Sequence, residues 1–149
     1  NIPWELLSKI NGVASDELTT GQRIKVLRGP FDGVVSVSRR RISLQVGGRY
    51  AGTFPAAIGK GFVSRSGSSV KLLDIQNETK TQTAQTVPVG FRPAGRAAII
   101  LENGLSIRPA NDPSFVMKTP EDNVLLVSSA DFNDLAGILG QGSHLLVRE

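Results

Sequence analysis

With 149 residues, 40% of them hydrophobic, the chain suits one domain with a buried core, and it lacks the run of about eighteen apolar residues that a membrane-spanning helix requires. Zero cysteines exclude thiol catalysis, disulfide bonds and cysteine-ligated metals, and a single histidine, His144, argues against a typical zinc site, so no metal and no cofactor are expected. The net charge of +4 is uneven, with 11 Lys and Arg against 5 Asp and Glu through Ile75, and such a basic half is able to attract an anionic polymer: nucleic acid, an acidic wall polymer or a lipid surface.

The first predicted element is a short helix at residues 3–10. Pro3 suits the first turn of a helix, and Gly12 stands just past the predicted end as a stop signal. A strand is predicted to follow at residues 23–27. Because the chain begins at Asn1 without an initiator methionine or a signal peptide, we expect a mature or trimmed fragment.

The N-terminal segments IPWELLSKING and GQRIKVL resemble the last helix and last strand of a LysM module. That module is a small βααβ fold that binds the N-acetylglucosamine chains of peptidoglycan or chitin, and the resemblance implies a glycan contact near Trp4. The first strand and first helix of the module are not in this sequence. We therefore expect residues 1–28 to be a partial LysM-like module, with packing favoured over sugar binding as its role.

A boundary is predicted at Gly29 and Pro30, where the composition changes toward strand. Beyond it an antiparallel meander is predicted. Its middle turn, Gly47-Gly48, is typical of a two-residue hairpin because glycine reaches positive φ angles. Pro55 lacks an amide donor, so the end of the third strand is expected at a sheet edge or a bulge. The predicted strands of the meander are residues 34–37, 42–46 and 49–58.

Three consecutive arginines, Arg39, Arg40 and Arg41, form the first turn of the meander and are the candidate residues for binding an anionic polymer. A solvated basic face with no partner is the simpler interpretation. Only one Trp and one Tyr accompany the basic residues, which is a poor match to the stacked aromatic platform of a nucleic-acid-binding surface.

The second half of the chain is predicted to be mostly strand with one packed helix. Asn103-Gly104 is a hairpin signal, and Ser129 is suited to cap a helix whose apolar face carries Phe132 and Leu135. Residues 59–69 and the polar tract 77–86 are predicted to be loops. The predicted strands are residues 70–75, 97–101, 105–107, 124–127 and 144–147.

Three segments, GPFDGVVSVSRRRISLQVGGRYAGTFPAAIG, NGLSIRPANDP and VSSADFNDLAGILGQGSHLLV, resemble the catalytic domain of the L,D-transpeptidases, also called the YkuD family, in the branch with an upstream LysM module. The resemblance covers nearly all of residues 29–149. It implies a mainly β, sandwich-like fold with one helix toward the C-terminus, and a bacterial, extracytoplasmic domain of the cell envelope whose partner is peptidoglycan or an anionic wall polymer. Members of the family crosslink peptidoglycan stem peptides through an acyl-enzyme on a cysteine, with a histidine as base.

The sequence departs from the family at both catalytic positions. The family's cysteine position carries Val124, and its His-Gly pair falls on Arg108 and Pro109. Valine cannot become an anionic nucleophile and arginine stays protonated at any working pH, so neither side chain supports acyl transfer. The family motif of serine, any residue, glycine, cysteine, isoleucine and arginine aligns with Glu121, Asp122, Asn123, Val124, Leu125 and Leu126.

The interpretation favoured by the sequence is a catalytically degenerate L,D-transpeptidase-like domain with a role in wall association or scaffolding. An active acyltransferase or hydrolase with a non-cysteine nucleophile, such as a serine paired with His144, is the first alternative. No GxSxG elbow accompanies that histidine, which we interpret as a strand residue. A basic nucleic-acid-binding β domain is the second alternative.

Overall fold

The computed structural model of the chain describes residues 7–8, 11–14, 17–26, 31–76 and 97–149. Most of the helix predicted at residues 3–10 lies outside these ranges, as do Trp4 and the predicted polar loop at 77–86. Leu7, Ser8 and Asn11 have helical backbone, in agreement with the part of the prediction that the structure describes.

Within the described ranges, nine strands form one continuous sheet in the order β3-β2-β1-β9-β5-β6-β7-β8-β4. The two edge strands, β3 and β4, are separated in the chain by Ala56 alone, so the sheet curls until its edges nearly meet. The mainly β fold class with one helix toward the C-terminus is confirmed. The strands are β1 (Phe31–Ser36), β2 (Arg41–Val46), β3 (Arg49–Pro55), β4 (Ala57–Ile58), β5 (Ser69–Gln76), β6 (Ala98–Leu101), β7 (Ser106–Ala110), β8 (Val124–Ser128) and β9 (His144–Arg148).

The first three strands form the predicted meander, β1 and β2 antiparallel and β2 and β3 antiparallel. The third strand predicted at residues 49–58 is wrong beyond Pro55, because Ala57 and Ile58 form β4, which pairs with β8 at the opposite edge of the sheet. Gly47 and Gly48 have φ angles of 53° and 76°, the left-handed region that a tight hairpin turn requires. Pro55 ends β3, which is an edge strand of the sheet, as its missing amide donor predicts. Asn103 and Gly104 have φ angles of 62° and 72° and join β6 to β7 in an antiparallel pair, so this predicted hairpin is also confirmed.

The core lies inside the curled sheet and beneath a helix, α2 (Ser129–Ile138), that packs on β7 and β8. Phe132 and Leu135 on the predicted apolar face of α2 are both buried. The N-cap is Ser128 rather than the predicted Ser129, because Asp131 lies three residues beyond Ser128. The Ser128 hydroxyl accepts from the Asp131 backbone N–H at 3.1 Å and donates to the Asp131 carboxylate at 2.7 Å.

The loop predicted at residues 59–69 contains a short helix, α1 (Lys60–Val63), so this part of the prediction is wrong. The reason is tertiary: Phe62 is fully buried and anchors a single turn too short to give a periodic pattern in sequence. A 3₁₀ turn at Glu102–Gly104 and a 3₁₀ helix at Pro113–Met117 complete the described elements.

The strand predicted at residues 23–27 is also wrong over the part that the structure describes, residues 23–26, which have no strand pairing. A strand needs a neighbouring strand for its backbone groups, and none lies beside this segment within the described ranges. The Asn11 side chain provides the hydrogen-bond partners that a neighbouring strand would otherwise provide to the Lys25 backbone. Its Oδ1 accepts from the Lys25 backbone N–H at 2.6 Å and its Nδ2 donates to the Lys25 carbonyl oxygen at 3.0 Å.

Candidate functional site

The two positions singled out by sequence, Arg108 and Val124, line one cavity of about 360 Å³ among the described residues. Arg108 lies in the middle of β7, and Val124 is the first residue of β8. The polar wall of the cavity consists of Arg108, Asn111 and Glu121, and the apolar wall consists of Ala97, Pro109, Pro120, Val124 and Leu126.

Strand register explains why these side chains share the cavity. β7 and β8 are parallel neighbours in which Ser106 is opposite Val124 and Arg108 is opposite Leu126. Side chains alternate between the two faces of a sheet, so Arg108, Val124 and Leu126 project from the same face. The intervening residues Ile107, Leu125 and Val127 are fully buried on the opposite face. The core thus fixes the direction of the cavity residues.

Arg108 is held loosely at the cavity wall. Its Nη1 lies 3.8 Å from Oε2 of Glu121, and the two side chains are 35% and 77% exposed. Its Nε is buried and has no hydrogen-bond partner among the described residues. A pair this exposed contributes about 0–1 kcal/mol to stability. The Arg108 guanidinium is permanently charged, and not all of its N–H donors have a hydrogen-bond partner among the described residues.

The segment leading into β8 is fixed from outside the cavity by two glycines. Gly59 donates its backbone N–H to the carbonyl oxygen of Val124 at 3.0 Å, and Gly61 donates to the carbonyl oxygen of Asp122 at 2.6 Å. A Cβ on Gly59 would lie 2.5 Å from the Asp122 carbonyl oxygen and 2.7 Å from that of Val124. Both glycines were missed in sequence, where IGKG is ordinary loop composition. The role of the two glycines is visible only in the folded structure, where they contact the backbone of residues 121–124.

Comparison with known proteins identifies the fold. No protein-family model and no curated protein matches the sequence significantly. Solved structures do match. L,D-transpeptidase 3 from Mycobacterium tuberculosis in complex with a faropenem-derived adduct superposes with a TM-score of 0.57 at 18% identity, covering 80% of this chain and 60% of that one.

Two further structures support the assignment. An L,D-transpeptidase from Mycobacterium smegmatis gives a TM-score of 0.58 at 14% identity, over 80% of this chain and 58% of that one. An L,D-transpeptidase from Stackebrandtia nassauensis gives 0.58 at 8% identity, over 96% of this chain and 74% of that one. The chain has the L,D-transpeptidase fold. It spans 58–60% of the length of the two mycobacterial chains named above.

The sequence contains no cysteine and one histidine, and that histidine lies away from the cavity of this L,D-transpeptidase-like domain. His144 begins β9, opposite Lys71 of β5, with its side chain exposed. Its backbone N–H donates to Oδ1 of Asp32 at 3.0 Å, and its Nδ1 lies 3.8 Å from the same atom. The cavity residues therefore include neither a thiol nor an imidazole.

The basic turn of the L,D-transpeptidase-like domain, Arg39 to Arg41, is partly occupied by structural contacts. Arg40 has a φ of 46°, and its Nη1 donates to the Val116 carbonyl oxygen at 3.0 Å. Its own carbonyl oxygen accepts from the Ala56 N–H at 2.8 Å. Arg39 is exposed in the turn, and Arg41 is half-buried at the start of β2. From sequence the three arginines are equivalent candidates for binding a polymer. In the structure Arg40 differs from the other two, because its side chain is hydrogen-bonded to the Val116 backbone.

A fourth arginine lies beside this turn. The carbonyl oxygen of Arg148, in β9, accepts from the Val37 N–H at 2.8 Å, which places an exposed residue distant in sequence next to Arg39 and its neighbours.

The described part of the chain holds no cluster of three or more His, Cys, Asp or Glu side chains suited to a metal ion. None of the helices within the described ranges has the length and apolar character needed to cross a bilayer.

Proposed function

We propose that this chain is a non-catalytic, peptidoglycan-associated domain of the bacterial cell envelope, acting outside the cytoplasm in wall binding or scaffolding. The observation that carries the proposal is the cavity shared by Arg108 and Val124. These are the two positions that the sequence resemblance assigns to the base and the nucleophile of an L,D-transpeptidase. The domain keeps a cavity there without the groups that acyl transfer needs.

The chemistry of the two side chains supports the loss of catalysis. A nucleophile for acyl transfer must become anionic near neutral pH, with a neighbouring base that takes its proton. Val124 has no proton to lose, and Arg108 is always protonated. Asn111 and Glu121 are the other polar residues of the cavity, and neither is a usual nucleophile for acyl transfer.

The charge distribution favours an anionic partner. The exposed Arg39 and the neighbouring Arg148 place positive charge at one end of the sheet. Attraction between exposed charges is screened over about 10 Å at 0.1 M salt. Binding to peptidoglycan or to an anionic wall polymer through this end should therefore weaken as salt is raised.

The proposal divides the chain into a partial LysM-like module at residues 1–28 and the L,D-transpeptidase-like domain at residues 29–149. In support of the division, the described hydrogen bonds of residues 7–26 join residues within that segment, with the Asn11–Lys25 pair as the longest link. The nine-stranded sheet of the described residues begins only at Phe31. The N-terminal segment is thus a local packing unit in this account.

Co-sedimentation with purified peptidoglycan over a salt series tests the proposed function. The wild-type protein is compared with Arg39→Ser and with Lys71→Ser, a matched loss of one positive charge at the opposite end of β9. We expect the fraction of protein retained on peptidoglycan to fall as the salt concentration rises. We also expect Arg39→Ser to lower that fraction more than Lys71→Ser does. Retention that ignores salt and both substitutions would assign binding to the LysM-like segment near Trp4 instead.

The same assay separates the alternatives. Salt-sensitive binding to DNA or RNA, with no retention on peptidoglycan, would overturn the proposal in favour of a nucleic-acid-binding domain. Absence of retention in every buffer would also overturn it.

A further inference from the structure

We propose that the outer face of the sheet, the side of β1, β2 and β9 turned away from the core, carries a phosphate-binding site formed by Arg41 and Arg148. Its ligand is a phosphodiester polymer of polyol or sugar units. The inference rests on the proposed function, because it names the anionic wall polymer that the domain binds. The cavity residues Arg108 and Val124 take no part in this site.

Strand pairing places Arg41 and Arg148 on either side of one serine. Ser36 is opposite Arg148 in the parallel pair of β1 and β9, and it is opposite Arg41 in the antiparallel pair of β1 and β2. Directly opposite residues project from the same face of a sheet. Val35 and Val147, one residue earlier in β1 and β9, are fully buried, so these three side chains project outward. The two arginine Cα atoms are about 10 Å apart, because one strand lies between theirs.

Both guanidinium groups can contact a ligand. Arg148 is exposed and Arg41 is half-buried. Neither side chain has an ion-pair or hydrogen-bond partner among the described residues, Glu149 included. The acidic residue on the outer face of β1 is Asp32, which lies four residues from Ser36, or about 13 Å along the strand. Two neighbouring cations without a local carboxylate repel each other, so an anion between them is stabilised by both.

The placement of the two cations suits a phosphate group. A guanidinium donates two parallel N–H bonds to phosphate oxygens. The oxygens of a phosphate point to the corners of a tetrahedron, so donors that arrive from opposite sides are both satisfied. The two oxygens of a carboxylate lie in one plane on the same side of its carbon, which suits one guanidinium better than two. The hydroxyl of Ser36, between the arginines, offers a further donor.

The neighbouring positions of the outer face favour polyol or sugar units between the phosphates. Ser43 of β2, two residues beyond Arg41, is opposite Thr53 of β3, with the two hydroxyl oxygens 3.4 Å apart. Hydroxyls both donate and accept hydrogen bonds, as the hydroxyls of a polyol or a sugar do. Nucleic-acid bases need aromatic side chains for stacking. The exposed aromatic of this face is Tyr50, which lies opposite Gln45, about 13 Å along β2 from Arg41.

NMR titration of ¹⁵N-labelled protein with poly(glycerol phosphate) tests the site. The backbone amides of Ser36, Val37, Arg41 and Arg148 report on binding there. Single-stranded DNA with the same number of phosphates is the nucleic-acid probe, and polyglutamate with the same number of charges is the carboxylate probe. We expect the largest shifts at these amides, and we expect poly(glycerol phosphate) to bind roughly threefold or more tightly than either other polymer.

Substitutions locate the binding. Arg41→Gln and Arg148→Gln should each weaken poly(glycerol phosphate) binding by roughly fivefold or more, because each removes hydrogen bonds to a charged group. Arg41→Lys and Arg148→Lys should give intermediate losses, since lysine keeps the charge without the planar fork. Lys71→Gln is the matched control. Lys71 is opposite His144, about 13 Å along β9 from Arg148, so its loss should weaken binding by less than roughly twofold.

Equal losses in Arg148→Gln and Lys71→Gln would overturn the inference, because binding would then follow net charge alone. Tighter binding of DNA or of polyglutamate would also overturn it, as would absence of binding by the folded wild-type protein. Should the glutamine variants fail to fold, the lysine variants decide the question, and wild-type affinity in both of them would overturn the inference.

The co-sedimentation assay keeps this inference separate from the proposed function. Retention on peptidoglycan that has been freed of phosphate polymers, without binding of poly(glycerol phosphate), would reject the phosphate site and keep the proposed function. Binding of poly(glycerol phosphate) at the named amides without retention on peptidoglycan would keep the site and reject the association with peptidoglycan.

Discussion

Gly59 donates its backbone N–H to the carbonyl oxygen of Val124 at 3.0 Å, and no side chain separates the two backbones. Gly59 has a φ of −75°, which any residue adopts, so its conformation does not require glycine. The requirement is space, because a Cβ would meet the carbonyl oxygens of Glu121, Asp122 and Val124. Residues 121–124 of the cavity wall therefore depend on a residue that does not line the cavity.

Gly59→Ala is expected to lower the free energy of unfolding by about 1–3 kcal/mol, the usual range for overpacking a close contact. Urea denaturation followed by circular dichroism measures the change. Gly52→Ala is the matched control, because no atom lies within 4 Å of its added Cβ, and its effect is expected to stay within about 0.5 kcal/mol. Equal stability of the two variants would show that the Gly59 contact is not close in solution.

Arg40 is expected to contribute to stability, unlike Arg39 next to it. Arg40→Ala removes the hydrogen bond to the Val116 carbonyl oxygen and should lower the free energy of unfolding by roughly 0.5–1.5 kcal/mol. Arg40→Gly loses the same hydrogen bond but accepts the φ of 46° without strain, so it should be more stable than Arg40→Ala by about 1 kcal/mol. Thermal and urea unfolding of both variants, with Arg39→Ala as the near-neutral control, checks the order. Arg39→Ala as damaging as Arg40→Ala would contradict it.

The acid sensitivity of the domain should depend on Asp112. Hydrogen bonds from the Lys118 side chain, then from the Ser114 backbone and hydroxyl, hold the pKa of the Asp112 carboxyl well below its usual range. A carboxyl whose pKa is lowered by folding stabilises the folded state above its unfolded pKa of about 3.9, and this stabilisation is lost as the pH falls toward the folded pKa. The stability difference between wild type and Asp112→Asn should therefore shrink below about pH 4.

Urea unfolding at pH 7, 5 and 3 measures that difference. Lys118→Gln serves as the companion variant, because Asp112→Asn should have less effect when the lysine is already absent. If the difference in unfolding free energy between wild type and Asp112→Asn is constant from pH 7 to pH 3, Asp112 does not determine the acid sensitivity of the domain.

The turns of this fold were readable from sequence because their causes are local. Gly47-Gly48 and Asn103-Gly104 encode positive φ angles directly, and the alternation of Ile42 and Leu44 marks the buried face of β2. What sequence could not show depends on distant contacts. The turn α1 exists because Phe62 reaches the core, and the segment at residues 22–26 lacks strand pairing among the described residues because no neighbouring strand is there.

The candidate site also has one part that could be predicted from sequence and another part that depends on contacts between distant residues. The resemblance singled out Arg108 and Val124, and the parallel register of β7 and β8 places both in one cavity. The role of Glu121 beside Arg108, the support from Gly59 and Gly61, and the contact between Arg40 and Val116 all join residues far apart in the chain. No local pattern carries such information.

Restoring the two catalytic side chains tests whether the cavity derives from an L,D-transpeptidase site. Val124→Cys combined with Arg108→His should regain slow acylation by faropenem, the compound whose derived adduct is present in the matching M. tuberculosis structure. Recovery should be partial, because the sequence resemblance aligns Asn123 and Leu126 with the glycine and arginine positions of the family motif. Intact mass spectrometry of the protein over several hours measures the adduct.

Val63→Cys is the control for that experiment, since Val63 is 48% exposed and does not line the cavity. A thiol at that position should show only background modification. A folded double variant no more reactive than Val63→Cys would mean that the cavity is not the relic of a catalytic site.

Whether this domain with the L,D-transpeptidase fold performs acyl transfer is measured on the unmodified protein. It is incubated with a tetrapeptide donor stem and an acceptor, and separately with faropenem, and its intact mass is measured together with any crosslinked product. We expect an unchanged protein mass and no crosslink, because the sequence contains no thiol and the cavity holds Val124 and Arg108. A covalent acyl adduct on this chain, or a crosslinked product, would contradict this expectation and establish a non-cysteine nucleophile.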